Sequence, residues 1–426
     1  MSNVVISGGG WSGCAAALSA AKAGAKVILI ERTDLLLGTG LVGGIFRNNG
    51  RYTAAEESIA MGAGEFFKVM DENSRHTNID FPGHQHASLY DVTTMEPMIK
   101  KILLEYGVEI KTQVRVNNVK KAGRHIEAVA LDNGEVLQGD AFIDATGSAG
   151  PMGNCLRYGN GCAMCILRCP SFGPRISLSG KAGVKEFFGE KADGSVGAMS
   201  GSCKINKDSL SDELKAELER KGVAVLKIPE GLRKKGGLLK KACSQYALDA
   251  FAENIILLDT GHAKLMTSYF PLKDLRKIHG LEKARYEDPY SGGVGNSMRY
   301  LAIAPCDCTL RVDDIDNLFC AGEKSGTIVG HTEAIVTGLL AGHNAVRCSL
   351  DMEYLVLPNT IAIGDFIEFV QRKMTDESGR RIRYTFSGSV YFNRMKEEGL
   401  YEINSEFIQQ NIEKAGLKDI YYKCLV

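Results

Sequence analysis

The chain has 426 residues, of which 44% are apolar and 24% are charged, and its formal net charge is zero. This is the composition of a globular protein, and the length exceeds what one hydrophobic core usually supports, so we expect two or three lobes. A neutral net charge argues against broad electrostatic capture of nucleic acid, and we expect no nucleic-acid partner. No apolar run is long enough to span a bilayer, so we expect no membrane association.

The cysteine content bears on the cellular compartment. No basic region, which a secretory signal requires, precedes the apolar strand that begins at Val4. We therefore predict a cytoplasmic protein, whose thiols stay reduced. Its twelve cysteines then indicate metal binding, redox chemistry or packing rather than disulfides.

The first segment, VVISGGGWSGCAAALSAAKAGAKVILIE, predicts a strand, a glycine turn, a helix and a second strand. The strands are expected at residues 4–7 and 27–30, and the helix at residues 14–22. A strand–helix–strand segment of this length is typical of a parallel βαβ unit.

The glycine turn of this unit has the spacing Gly8-x-Gly10-x-x-Gly13. Gly8 permits the tight turn, Gly10 lets the backbone approach a diphosphate, and Gly13 lets helix and strand pack closely. The N–H groups of the first helical turn can then meet phosphate charge. Glu31, at the end of the second strand, is placed to accept hydrogen bonds from a ribose. Together these features predict a dinucleotide site.

The rest of the chain alternates between regular and irregular stretches. A second glycine-rich loop, LLLGTGLVGGIFRNNGR, precedes a helix predicted to begin near Thr53. Asp91 is placed to cap the next helix, and residues 108–137 predict short strands with turns at Ala-Gly and Asn-Gly. After the strand in AFIDATG the pattern is less regular over 148–289. The stretch NLFCAGEKSGTIVGHTEAIVTGLLAGHNAVR then predicts a strand, a glycine-rich loop and an apolar helix.

Three features favour FAD over NAD: TGLVGG soon after Glu31, the strand FIDATG after a small β-meander, and LFCAGE far downstream before another helix. With them the chain resembles the glutathione-reductase-type FAD-binding superfamily, specifically its FAD-dependent oxidoreductase branch. The resemblance implies an α/β fold with a Rossmann-like FAD-binding domain formed by residues 1–150 and 300–349. It also implies an inserted α+β substrate or cap domain at 151–299, which holds a Cys-rich segment, and a mixed α/β segment at 350–426.

The resemblance also implies which residues hold the cofactor. Gly322 and Glu323 would contact the ribityl–diphosphate region, the helix after them would point its N-terminus at the flavin pyrimidine ring, and the backbone of Val116 would meet the adenine. Amides at the start of that helix would stabilise negative charge on the reduced flavin. The predicted FAD-binding residues are Gly8, Gly10, Trp11, Ser12, Gly13, Glu31, Arg32, Thr39, Gly43, Gly44, Val116, Ala145, Thr146, Gly147, Gly322, Glu323, Gly330, His331, Thr332 and Glu333.

Two later stretches, LRKIHGLEKARYEDP and GTIVGHTEAIVTGLLAGHNAVR, are similar to parts of the GidA and TrmFO flavoproteins. That resemblance implies modification of uridine in tRNA, with folate as the one-carbon source. The chain departs from these proteins in its loop after Glu31 and in its Cys-rich middle. We therefore infer the FAD cofactor from this resemblance, but we do not infer an RNA substrate.

The Cys-rich segment contains Cys162-x2-Cys165-x3-Cys169-Pro170, which resembles part of a bacterial ferredoxin sequence. Cys155, seven residues upstream, would supply a fourth thiolate, so these four cysteines are candidate ligands of a [4Fe–4S] cluster. Zinc binding, thiol redox chemistry and ordinary packing of buried thiols remain open alternatives.

Four residues are candidates for contact with substrate or flavin. Cys306-x-Cys308 precedes the strand that leads to Gly322, and a thiolate near flavin can exchange electrons, with simple packing as the alternative. His331 opens the helix expected to face the flavin, with helix capping as the alternative. Arg47, in FRNNGR, is placed to clamp an anionic substrate, with turn formation as the alternative.

The sequence therefore predicts an FAD-dependent oxidoreductase that carries out two-electron chemistry on a small molecule, with a candidate iron–sulfur cluster. One alternative is a GidA/TrmFO-like folate- and FAD-dependent RNA uridine methyltransferase. The other is an electron-transfer flavoprotein subunit that works with a redox partner protein. A homo-oligomer is compatible with each of these hypotheses.

Overall fold

The computed structural model describes residues 2–147, 176–190, 194, 198–199, 203–233, 248–267, 270–287, 298–299 and 301–426. The candidate cluster ligands Cys155, Cys162, Cys165 and Cys169 lie outside the described residues. The iron–sulfur hypothesis therefore stays a prediction.

The strands are β1 (Asn3–Ser7), β2 (Lys26–Glu31), β3 (Ile45–Phe46), β4 (Ser74–Phe81), β5 (His84–Tyr90), β6 (Glu109–Thr112), β7 (Val116–Ala122), β8 (His125–Leu131), β9 (Val136–Gln138), β10 (Ala141–Asp144), β11 (Phe187–Phe188), β12 (Ala198–Met199), β13 (Cys203–Ile205), β14 (Val223–Lys227), β15 (Asn254–Asp259), β16 (Ala263–Leu265), β17 (Met298–Arg299), β18 (Ala302–Ile303) and β19 (Leu318–Cys320). The helices are α1 (Trp11–Lys22), α2 (Gly40–Gly43), α3 (Gly50–Ala60), α4 (Glu65–Glu72), α5 (Met95–Glu105), α6 (Leu178–Lys181), α7 (Asp212–Lys221), α8 (Asp249–Glu253), α9 (Leu272–Leu275), α10 (His331–Ser349), α11 (Ala362–Met374), α12 (Glu377–Arg380), α13 (Ser389–Glu397) and α14 (Ser405–Lys414). Short 3₁₀ turns cover Lys207–Ser209, Glu230–Leu232, Gly322–Lys324 and Ile420–Tyr422.

A five-stranded parallel sheet with the order β19-β10-β1-β2-β6 forms the centre of the first lobe. Parallel neighbours need long crossover connections, and β19 joins the sheet from a distant part of the chain. The antiparallel meander β7-β8-β9 lies beside it, as its two turn signals predict. The predicted α/β fold is confirmed.

Helices α1 and α10 touch through their backbones. A Cβ atom at Gly338 would overlap the carbonyl oxygen of Ser12, and one at Gly342 would overlap that of Ala16. The two helices run in parallel, and these pairings place the start of α10 six residues, or about 9 Å, before the level at which α1 begins. Two helix N-termini therefore lie at the carboxyl end of the sheet with a fixed offset.

A second lobe carries the antiparallel sheet β13-β16-β15-β14. Alternate residues of β15 point to opposite faces: Ile255 and Leu257 pack in a core with α7, whereas Ile256 and Leu258 pack against the hairpin β4–β5. The hairpin thus lies with the predicted cap in space, although its residues precede that segment in the chain.

A buried carboxylate joins this hairpin to the cap. Asp259 is fully buried and accepts hydrogen bonds from Arg75 Nε (3.0 Å) and His76 Nε2 (3.0 Å), and it also contacts Lys207 Nζ. Burial raises its pKa, but hydrogen bonds from Lys207 and His76 outweigh that effect and hold the pKa below its ordinary value. Arg75 and Lys207, which are cationic, and the imidazole of His76 therefore share one anion.

We expect Asp259→Asn to lower the free energy of unfolding by about 2 kcal/mol at pH 7, because it leaves charged donors without their anion. Since the native pKa is depressed, the stability that Asp259 contributes is present above pH about 4 and is lost as the pH falls through the folded pKa. Urea unfolding of both proteins at pH 7 and pH 3.5 checks this. A difference between them that stays constant across this range would contradict the ion-pair account.

The last segment packs on α3 and α10. Over residues 350–426 the structure forms helices and isolated bridges but no extended strand, which differs from the mixed α/β segment expected from the sequence. Glu57 of α3 accepts hydrogen bonds from the backbone N–H groups of Ala362 (2.7 Å) and Ile363 (2.9 Å), so a buried carboxylate meets the positive end of α11. None of the helices in the described part of the chain is both long and apolar enough to cross a bilayer.

Candidate FAD site

The glycine turn between β1 and α1 leaves open space where a diphosphate is expected. Gly8 has a φ of +105°, and a Cβ there would overlap the carbonyl oxygen of Ala145; one at Gly13 would overlap that of Gly8. Around Gly10, by contrast, a Cβ would meet no atom within 4 Å. The turn is thus tightly packed on its protein side and open beside the first N–H groups of α1, which is the arrangement that binds a phosphate.

Glu31 lies at the end of β2 beside this turn. Its Oε2 accepts a hydrogen bond from Gly9 N (2.8 Å), and its Oε1 accepts one from Thr33 N (2.8 Å). A carboxylate has about four acceptor positions, so Glu31 retains capacity for ribose hydroxyls. Arg32 and Thr39 follow on the same loop and are half-buried.

The loop after β2 meets the first residue of α10. A Cβ at Gly43 would overlap the imidazole of His331, and Gly44 has a φ of +73°. His331 Nδ1 lies 3.2 Å from the hydroxyl of Tyr90, which donates to Gly40 O (2.9 Å) and accepts from Trp11 Nε1 (3.3 Å). Because the one phenolic proton goes to Gly40, we infer that His331 carries its proton on Nδ1 and presents Nε2 as an acceptor.

A second turn, Gly322–Lys324, approaches α1 from the other side. Gly322 has a φ of +64°, its N–H donates to Thr337 Oγ1 (2.9 Å), and a Cβ there would lie 2.8 Å from Ser12 Oγ. Glu323 Oε2 lies 3.9 Å from the Cβ position of Gly147. The end of β10, the turn and the start of α1 are thus adjacent, as the resemblance implies.

A buried ion pair fixes the start of α10. Glu333 is fully buried and accepts hydrogen bonds from Arg51 Nε (3.0 Å), Thr385 Oγ1 (2.6 Å) and Phe386 N (2.8 Å). The Glu333 carboxylate and the Arg51 guanidinium fill the Cβ position of Gly330, whose φ is +135°. Glu333 therefore orients the helix that the flavin would meet.

An orphaned hydroxyl lies next to this pair. Thr332 Oγ1 is buried and makes no hydrogen bond within the described structure. A buried hydroxyl without a partner costs about 1–3 kcal/mol. This hydroxyl, at the first turn of α10, and the open space at Gly10 both fit an FAD that spans the two helix N-termini.

The remaining predicted FAD residues occupy the expected elements. Val116 is buried and begins β7, while Ala145 is buried after β10. Thr146 donates to Asp144 Oδ1 from its backbone N (3.1 Å) and from its hydroxyl (2.6 Å). Burial raises the pKa of Asp144, but the nearby Lys324 and the Thr146 hydrogen bond lower it below its ordinary range. An ionised Asp144 thus shapes the turn at the end of β10.

Arg47 is engaged within the protein. It is buried and forms two parallel hydrogen bonds with Asp71 (2.7 and 2.6 Å) and one with Glu56 (2.6 Å). Neither sequence alternative, a substrate clamp or a solvated turn, anticipates this buried ion pair. The geometry favours a structural role for Arg47.

The thiols of Cys306 and Cys308 lie on the chain that leads into β19. Cys306 Sγ contacts Ser325 O (3.7 Å), and burial together with Glu368 raises the pKa of the Cys308 thiol. A raised pKa disfavours the thiolate that redox chemistry requires. Within the described residues, no group of three or more His, Cys, Asp or Glu side chains is arranged to hold a metal ion.

Tyr90, and the contacts that join Asn48, His84 and Arg51, have no counterpart among the expectations from the sequence. Tyr90 orients His331, and Asn48 links His84 to Arg51 through hydrogen bonds of 2.9 and 3.1 Å. Burial, followed by the charge of Arg51, lowers the pKa of His84 to about 3, so its ring is neutral at physiological pH. Their side chains reach the site through long-range packing, which leaves no local pattern in the sequence.

Comparisons with known proteins agree with this geometry. Residues 3–152 match the family described as FAD dependent oxidoreductase, and residues 257–353 match the family Glucose inhibited division protein A. A structure of Aquifex aeolicus GidA superposes with a TM-score of 0.68 over 98% of this chain and 72% of that chain, at 18% identity. At that identity the likeness establishes the fold alone.

Two curated relatives are similar over shorter stretches. The tRNA uridine 5-carboxymethylaminomethyl modification enzyme MnmG of Cytophaga hutchinsonii is 36% identical over 111 residues, which is 25% of this chain and 17% of the relative. The methylenetetrahydrofolate–tRNA-(uracil-5-)-methyltransferase TrmFO of Prochlorococcus marinus is 40% identical over 98 residues, which is 22% of this chain and 20% of the relative. The chain thus spans a fifth or less of these relatives' length.

Both relatives are named for tRNA, which opposes our expectation that nucleic acid is no partner. The family matches, and the fold shared with GidA, agree with the resemblance drawn from the sequence. Residues 3–152 of this enzyme therefore match the FAD dependent oxidoreductase family, and a GidA-like segment lies at residues 257–353.

Proposed function

We propose that the protein binds FAD between the N-termini of α1 and α10 and uses it to modify a uridine base in RNA. The observation that supports the FAD site best is the pairing of open space at Gly10 with the orphaned Thr332 hydroxyl, at two helix starts held about 9 Å apart along their axes. The uridine substrate rests on the names of the relatives and on their local identity to this chain.

In this proposal each part of the site has a distinct role. The amides at Gly10–Gly13 bind the diphosphate and Glu31 binds a ribose. Backbone amides at the start of α10 favour negative charge on the ring, and His331 Nε2 accepts a proton or hydrogen bond at the substrate side. Bound FAD supplies hydride transfer, while the protein orients it and tunes its electronics.

A second candidate function is two-electron chemistry on a small molecule. The zero net charge favours it, because a polyanion normally meets a basic face. The short spans of similarity favour it as well, since most of each relative's length has no counterpart in the alignment.

The test starts with the flavin. We expect the purified full-length protein to be yellow, and Thr332→Val to weaken FAD binding about 3- to 10-fold, because the lost hydroxyl would have bonded the cofactor. Equilibrium dialysis against FAD measures this, with Thr375→Val, at an exposed C-cap, as the matched control. A colourless protein that takes up no added FAD contradicts the proposal.

The substrate is tested separately on the FAD-loaded protein. Unmodified tRNA transcripts are incubated with methylenetetrahydrofolate or glycine and a nicotinamide donor, and their digested nucleosides are analysed by mass spectrometry. A modified uridine that requires both FAD and protein supports the RNA proposal. A flavin-loaded protein that leaves every uridine unchanged supports the small-molecule candidate instead.

A further inference from the structure

A histidine and a glutamate of the second lobe form a hydrogen-bonded pair outside the FAD site. His262 Nδ1 lies 3.1 Å from Glu287 Oε1, and the two side chains are 24% and 26% exposed. An ionised carboxylate accepts hydrogen bonds but donates none, so the proton of this bond belongs to Nδ1 and Nε2 is the basic nitrogen. A carboxylate that orients a histidine in this way is the arrangement of a general base.

Both side chains stand on the face of the sheet that turns toward the first lobe. Successive side chains of an extended chain point to opposite faces. Ala263 and Tyr286, the immediate neighbours of the pair, pack in the core of the second lobe, so the pair lies on the other face. Lys264 follows the histidine by two residues and shares its face, and Lys264 Nζ donates to Val42 O (3.3 Å) in the loop after β2.

The turn that precedes the histidine is fixed beside the predicted flavin site. Thr260 packs on Gly44, and its carbonyl oxygen accepts a hydrogen bond from Val92 N (3.1 Å). Gly261 has a φ of +91°, and a Cβ there would overlap the carboxylate of Asp91. The glycine before Gly44 packs against the first side chain of α10, so the turn lies next to the helix start that the flavin would meet.

The surroundings of His262 keep its ring neutral at physiological pH. Burial, followed by the charge of Lys204, lowers the pKa of His262, whereas Glu287 and Asp91 raise it. The net shift is downward from the ordinary value of 6.5, so the ring is unprotonated at pH 7. A histidine in this state can accept a proton from a substrate.

We propose that His262 is a catalytic residue, an acid–base group that the second lobe presents to the substrate beside the flavin, and that Glu287 positions it. This inference rests on the proposed function, in which a uridine base is modified. The names of both relatives place their modification at position 5 of uracil. Once a carbon from the one-carbon donor has bonded to C5, the C5–H bond breaks, its electron pair returns to the ring, and the proton passes to His262 Nε2. The proton then leaves to water, which restores the neutral histidine.

The first experiment measures uridine modification by the full-length, FAD-loaded protein between about pH 5 and pH 9. We expect His262→Gln to lower kcat by about 100-fold or more while flavin content stays unchanged. Glu287→Gln should lower kcat by about 10-fold or more. It should also move the acid limb of the pH–rate profile to lower pH, because it removes an anion that raises the pKa of His262. The matched controls are His279→Gln and Glu282→Gln, at an exposed pair of the same lobe whose atoms lie 3.4 Å apart.

The pH profile separates proton transfer from a structural role. A pair that only stabilises the second lobe would change the amount of folded protein and leave the acid limb where it is in the wild type. A His262→Gln protein that keeps its flavin and a third or more of the wild-type kcat would overturn the inference. An acid limb that Glu287→Gln does not move would overturn it as well.

A second measurement needs no turnover. Diethyl pyrocarbonate acylates the unprotonated nitrogen of an accessible imidazole, and peptide mass spectrometry gives its rate at each histidine. We expect acylation of His262 to decline at low pH and Glu287→Gln to move this decline to lower pH, with His279 as the internal standard. Protection of His262, but not of His279, by a tRNA transcript supports contact with the substrate. If the wild type modifies no uridine but the decline moves, the uridine function fails and the acid–base pair stands; a decline that does not move overturns the inference in either case.

Discussion

Arg51→Ala is expected to lower the free energy of unfolding by about 3–5 kcal/mol, because it leaves the carboxylate of Glu333 buried without its cation. The two side chains come from α3 and α10, and the relative exposure of both is 4% or less. The start of α10 should loosen with the loss of this contact, so we also expect reduced flavin content. Urea unfolding monitored by circular dichroism, together with the ratio of flavin to protein absorbance, measures both effects.

Two further variants test the cause of this loss. In Arg51→Met/Glu333→Gln no buried charge remains, so the double variant should be more stable than Arg51→Ala. Lys68→Ala breaks an exposed ion pair with Glu72, whose atoms lie 3.9 Å apart, and should change stability by less than about 1 kcal/mol. If Arg51→Ala proves as mild as Lys68→Ala, the ion pair does not hold the start of α10.

Gly13→Ala is expected to abolish FAD binding and to destabilise the protein by about 1–3 kcal/mol. The added methyl group would overlap the carbonyl oxygen of Gly8, a backbone atom that cannot move without distorting the diphosphate turn. Flavin content after purification and the midpoint of thermal unfolding are the measurements.

Gly231→Ala serves as the control, because a Cβ at Gly231 would meet no atom within 4 Å. This substitution should leave flavin content and thermal stability close to those of the wild type. A Gly13→Ala protein that keeps its flavin would contradict the assignment of this turn to the diphosphate.

Local signals predicted the nucleotide-binding frame well. The turn, α1 and the acid at the end of β2 lie within about thirty residues, so the glycine spacing and the apolar runs determine them together. The strand β19 and helix α10 were predicted for the same reason. Their pairing with the first segment came from the resemblance, since no local pattern encodes a parallel neighbour.

Long-range contacts escaped the sequence analysis. Arg51 and Glu333 are 282 positions apart, and each has an ordinary local context. The hairpin β4–β5 packs with the cap through Phe81 and Leu89, which look like ordinary strand residues in the sequence. Residues 350–426 form helices because they pack on α3 and α10. The amino-acid pattern of residues 350–426 does not reveal the surface of α3 and α10 on which they pack.

The parallel contact between α1 and α10 has a consequence for cofactor selection. Because Gly338 and Gly342 press α10 against α1, the separation between the two helix starts is fixed. FMN carries the flavin ring and one of the two phosphates, so it could meet both helix starts, whereas the adenosine that it lacks is the part that Glu31 and Val116 would bind. Rigid spacing would then set the distance between ring and phosphate, and a preference for FAD over FMN would come from the adenosine end of the site.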